Sequence, residues 1–138
     1  VEKKIKAAGL TGEESDRIIA RLLKERFIDE SRFARYFVND KLRFNKWGRI
    51  KISYELQRKG IPADIRTEAL AGIDEQEYQD ILFSLLKSKK KTTRGKDERE
   101  TYIKLLRFAA GRGFEGRDTS RCLKQLFNGN DYDEDTFE

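Results

Sequence analysis

Ile28-Asp29-Glu30, followed by Phe33, Tyr36 and Phe37, returns as Ile73-Asp74-Glu75 followed by Tyr78, Ile81 and Leu82. A second pattern surrounds Gly9, Gly60 and Gly113, which are spaced by 51 and 53 residues. Eight positions before each glycine stand Val1, Ile52 and Leu105, and one position after each stand Leu10, Ile61 and Phe114. Apolar residues recurring at fixed offsets from a repeated helix stop describe a unit that buries its face against its neighbours. No stretch alternates with the period of two that a strand requires. The reading predicts an all-α fold of tandem three-helix repeats, stacked into an elongated, curved array.

The repeats divide the chain. Residues 1–28 read as the last two helices of a partial first repeat, with a stop at Gly9 and a capping box from Thr11 to Glu14. Ile18, Ile19, Leu22 and Leu23 are expected on that helix's buried side. A helix capped by Asp29, with Ile28 and Phe33 as a hydrophobic staple, opens a second unit over 29–73. Asp74 with Glu77, and Ile73 with Tyr78, open a third over 74–127. Residues 128–138 form an acidic tail, expected to be disordered.

Of the 138 residues, 40% are charged and 37% hydrophobic, the lean core of a thin helical array. All 30 lysines and arginines precede Asn128, while Asp131, Asp133, Glu134, Asp135 and Glu138 follow it, so the net charge of +5 conceals a body at +10. Such a body attracts polyanions or an acidic protein groove. No apolar run reaches the ~18 residues of a membrane span. A lone cysteine, Cys122, fits a reducing cytoplasm, and its position matches Ala69 in the preceding copy, a small core slot.

Catalysis finds little support. Histidine is absent, and with it the commonest general base and metal ligand. The Asp29-Glu30 and Asp74-Glu75 pairs sit where helix caps and dipole partners belong. Phosphate loops and nucleophile elbows are lacking; no enzyme and no cofactor are expected. The basic residues are more informative. Lys87, Lys89, Lys90, Lys91, Arg94 and Lys96 crowd into one segment, where the last unit exceeds its predecessor by eight residues between aromatic and glycine. The shared core does not require that length, and part of it reads as a solvated link. The candidate contact residues are therefore Lys89, Lys90, Lys91, Arg94 and Lys96, supported by Lys46, Arg49 and Arg58, with Lys51 and Lys59 nearby. Trp47 is assigned first to the core and second to a base-stacking platform.

Several of these words occur together elsewhere. Asp29-Glu30-Ser31-Arg32-Phe33-Ala34 with Tyr36, then Lys46-Trp47-Gly48-Arg49-Ile50, then Glu55-Leu56 with Lys59-Gly60-Ile61, resembles the RecX family of recombinase regulators. Leu105-Leu106-Arg107-Phe108 with Arg112-Gly113-Phe114 is similar to that family's closing unit. The resemblance covers nearly all of residues 1–127. It departs in lacking the family's opening helix, and in carrying Arg26 where a glycine commonly precedes the aromatic. It implies a cytoplasmic, monomeric, non-enzymatic protein that binds the RecA nucleoprotein filament, with direct DNA contact as a further expectation. From there it would modulate, mainly inhibit, recombinase, ATPase and co-protease activity. The alternatives are an autonomous basic helical DNA-binding module and a structural adaptor whose charge serves only solvation.

Overall fold

The computed structural model describes residues 12–127, and these contain helices and connecting turns but no strand. Six helices follow in order: α1 Gly12–Arg43, α2 Arg49–Arg58, α3 Ala63–Ala71, α4 Glu75–Thr92, α5 Glu98–Gly111 and α6 Gly116–Leu126. The second half of α1 packs with α2 and α3 as one three-helix bundle, and α4 packs with α5 and α6 as another. The fold is thus an all-α repeat array. No described helix is long and apolar enough to cross a membrane. The first glycine anchor, Gly9, the Thr11 cap and the acidic tail lie outside the described residues.

The repeated glycines act alike. Gly60 and Gly113 have φ of +85° and +90°, a backbone region that only glycine enters without strain. Each closes a helix by the same pair of bonds. Gly60 N–H donates to the Gln57 carbonyl at 3.0 Å and Ile61 N–H to Leu56 at 3.1 Å. Gly113 N–H donates to Ala110 at 3.0 Å and Phe114 N–H to Ala109 at 3.1 Å. This 6→1 and 5→2 pattern satisfies carbonyls that the helix end would orphan, and it turns Ile61 and Phe114 back into the core. Leu56 and Ala109, about one turn before each stop, are fully buried, as are Ile52 and Leu105 a turn earlier.

At the first Ile-Asp-Glu the structure departs from expectation. Asp74 does cap α4, its carboxylate accepting from Glu77 N–H at 2.9 Å. Asp29 caps nothing, because α1 runs unbroken through it for 32 residues. The cause is local. Gly72 precedes Ile73-Asp74 and ends α3, whereas Phe27 precedes Ile28-Asp29 and follows Leu22-Leu23-Lys24-Glu25-Arg26, residues that mostly propagate a helix. The unit boundary expected at residue 28 therefore lies inside a helix.

Two consequences follow for the core. Phe33, expected to match Tyr78, is 44% exposed, whereas Tyr78 is fully buried. The buried ladder of α1 is instead Ala34, Val38 and Leu42, which answers Tyr78, Leu82 and Leu86 of α4 in a register shifted by one residue. The Ile-Asp-Glu words start a helix in one copy and lie mid-helix in the other, so they mark no common geometry. Ile18, Leu22 and Leu23, expected to be buried, are exposed, because the burial of α1 against α2 and α3 runs from Ser31 to Leu42.

Candidate functional site

The two bundles meet at the turn between α1 and α2. Gly48 N–H donates to the Arg112 carbonyl at 2.8 Å and Ile50 N–H to the Gly113 carbonyl at 3.0 Å, so backbone joins backbone across the repeat. The approach leaves no room for side chains. A Cβ on Gly48 would stand 2.5 Å from Phe114 Cα, and one on Gly113 would stand 2.5 Å from Lys51 N.

Arg49, the next residue, closes the joint. Its backbone N–H donates to the Tyr78 hydroxyl at 3.0 Å, and its guanidinium lies 3.9 Å from that ring's centroid. One Nη donates to Glu115 at 2.8 Å and lies 3.8 Å from Asp118, while the other donates to Glu75. The Tyr78 hydroxyl in turn donates to Glu115. The planar, forked guanidinium suits this work, since it bonds several carboxylates while stacking on a ring. Arg43 adds a bidentate pair with Glu77, at 2.8 and 3.1 Å, between α1 and α4.

Electrostatics follow from those contacts. Burial opposes the Arg49 charge, but hydrogen bonds to Glu115 and Glu75 outweigh it and its pKa is raised. Burial likewise opposes ionised Glu115, yet hydrogen bonds from Tyr78 and Arg49 pull its pKa below the ordinary value. A carboxylate more acidic in the folded chain contributes stability above its unfolded pKa, about 4.3, which is lost as pH falls through the folded value. Urea midpoints of the wild type should therefore drop below about pH 4.3 more steeply than those of Glu115→Gln. Parallel pH profiles would show that this carboxylate is not held by the joint.

The predicted contact residues separate into two groups. Arg49 is committed to the joint. Lys90 is also engaged internally: its ammonium donates to the Leu126 carbonyl at 3.0 Å and lies 4.3 Å from the Phe127 ring centroid, closing the C-terminus of α6. Lys46 donates to the Arg43 carbonyl in a turn where its own φ is positive. The rest project from the surface. Lys89 and Lys91 are exposed on the last turn of α4, which extends to Thr92, so the cluster's first half is helical and the link begins after it. Arg94 and Lys96 are exposed in the short connection to α5, and Arg58 is exposed beside Glu55 on α2. The last turn of α4 also concentrates lysines where the helix dipole is negative, a favourable place for cations.

Cys122 is buried in the slot expected for it, and burial together with the nearby Asp118 carboxylate pushes its thiol up to about 11. A thiol with that pKa stays protonated and unreactive at neutral pH. No group of three or more potential metal ligands occurs among the described residues.

Comparison with known proteins agrees with this architecture. The chain is 31% identical over 127 residues to Regulatory protein RecX of Prosthecochloris aestuarii, covering 91% of this chain and 81% of that protein. It belongs to the RecX family. The family's second three-helix domain matches residues 29–70, which take in the packed half of α1 and almost all of α2 and α3. Regulatory protein RecX of Clostridium beijerinckii is 32% identical over 129 residues, and that of Clostridium tetani 31% over 128. In both cases 91% of this chain aligns, but it spans only 59% and 58% of those relatives' lengths. No solved structure matches the chain significantly. The family words Trp47-Gly48-Arg49 and Arg112-Gly113-Phe114 are the two sides of the joint, brought together by the backbone pairing described above.

Composition concealed the role of Arg49, which sequence alone placed among the exposed cations. Its partners Glu75, Glu115 and Asp118 belong to the other bundle, and a spacing of that size carries no local signal. Lys90 was obscured by sequence distance alone, since its partner Leu126 lies 36 residues further on, in the same bundle.

Proposed function

We propose that the chain is a non-enzymatic regulator that binds the RecA nucleoprotein filament and restrains recombinase, ATPase and co-protease activity. The observation that carries this reading is membership of a family of regulatory proteins, in a repeat array that exposes a run of cations at the end of α4 and in the connection after it. The joint supports it physically. Two bundles fixed to each other by backbone bonds hold charges from both units at set separations, as a repetitive helical filament would demand of a partner. Lys89, Lys91, Arg94 and Lys96, with Arg58 from the other bundle, are the proposed filament contacts. Arg49 and Lys90 hold the scaffold that presents them.

The DNA-dependent ATPase of RecA from the same organism tests the proposal. Titration with this chain should lower the rate to a saturable floor, without affecting an unrelated DNA-dependent ATPase. Inhibition of both enzymes alike would indicate simple competition for DNA. An unchanged RecA rate would contradict the proposal.

A further inference from the structure

We infer that the Phe37–Trp47 edge of the first bundle is a separate anion-binding surface that takes the phosphates of single-stranded nucleic acid directly, without a recombinase. The two rings lie edge to face with centroids 6.4 Å apart, and three lysines converge on them. The Lys41 ammonium lies 5.4 Å from the Phe37 centroid and 5.3 Å from that of Trp47. Lys51 lies 4.7 Å from Trp47, and Lys59 lies 5.7 Å from Phe37. Aromatic faces hold an ammonium group in place without neutralising it.

Most of the charge here is uncompensated, in contrast to the joint. Among the described residues neither Lys51 nor Lys59 pairs with a carboxylate, and Lys41 meets only its chain neighbour Asp40, at 3.8 Å. All three lysines stand on fixed backbone. The Lys41 carbonyl accepts from Trp47 N–H at 3.1 Å, and Lys59 N–H donates to the Glu55 and Leu56 carbonyls that end α2. Lys51 is the residue whose backbone Gly113 packs against.

Geometry favours a strand over an acidic peptide. Lys41 shares one ring with Lys59 and the other with Lys51, which places neighbouring charges within about 11 Å, close enough to meet adjacent phosphates of one strand. On the same rim Phe33 is 44% exposed, with its ring 5.8 Å from Phe37. An exposed ring beside cations offers a stacking face to a base, which a run of carboxylates has no use for. Trp47, flanked by two ammonium groups, serves instead to position them.

Trp47 is the chain's one tryptophan and reports on the surface directly. The test uses the full chain, a fluorescein-labelled oligo(dT) of about twenty nucleotides, anisotropy from low to physiological salt, and Trp47 emission. Binding should change Trp47 emission. The variant Lys41→Gln/Lys51→Gln/Lys59→Gln, with unchanged circular dichroism, should lose at least about tenfold in low-salt affinity and about 2 in the slope of log K against log salt. Phe33→Ala should weaken binding by roughly tenfold and keep the slope, since it removes a stack and no charge. Lys89→Gln/Lys91→Gln/Lys96→Gln should keep the Trp47 response. Wild-type affinity in the folded Lys41/Lys51/Lys59 variant, or no binding by the wild type, would overturn the inference. Displacement by polyglutamate as effective as by unlabelled oligo(dT) would also overturn it, and would assign the surface to an acidic protein.

Discussion

Gly113→Ala is expected to destabilise the chain by roughly 2–6 kcal/mol, combining about 1–3 for a forced positive φ with about 1–3 for steric overpacking. At φ +90° an alanine is strained whatever its surroundings, and its Cβ would meet the Lys51 backbone, which cannot swing aside as a long side chain could. The move that relieves the clash would stretch the Ile50-to-Gly113 bond and so open the joint. Gly111→Ala, two residues earlier and with nothing within 4 Å of the added carbon, is the matched control. It should be neutral or stabilise by up to about 1 kcal/mol, because alanine is the better helix former. Chemical denaturation of both variants makes the comparison. Equal midpoints would mean that the bundles do not meet as closely as described.

Leu56→Ala is expected to cost about 2–5 kcal/mol. Leu56 is wholly buried, packs in the core cluster that runs through both bundles, and supplies the carbonyl that receives Ile61 N–H at the end of α2. Truncation removes transfer energy and leaves a cavity that rigid helices on either side can fill only in part. Against a typical domain stability of about 5–15 kcal/mol, either variant removes a large fraction. A thermal melt unchanged by Leu56→Ala would show that the register of α2 is wrong.

The helix stops were legible because Gly60 and Gly113 perform a task that one residue type performs well, and the apolar offsets around them reflect the chain turning back at Ile61 and Phe114. Asp74 was legible for a similar reason, since Gly72 ends one helix just before it. Asp29 was misread because the same three residues, without a preceding stop, simply continue α1. That misreading also shifted the register, putting Phe33 where Ala34 belongs. At the surface, the sequence located the cation cluster but not its internal partners. Whether a lysine is free or tied, as Lys91 and Lys90 differ, depends on what a helix distant in sequence places beside it, here the Leu126 carbonyl and the Phe127 ring at the end of α6.

The most direct test of filament binding compares RecA ATPase inhibition by the wild type with that by Lys89→Gln/Lys91→Gln/Arg94→Gln/Lys96→Gln, which leaves Arg49 and Lys90 in place. Circular dichroism and the melting midpoint should be nearly unchanged, since these side chains are exposed. The variant should need about tenfold more protein for equal inhibition at low salt, with the difference narrowing as salt screens the wild type. Full inhibition by the folded variant at both low and physiological salt would contradict the account and place the filament contact elsewhere on the repeats.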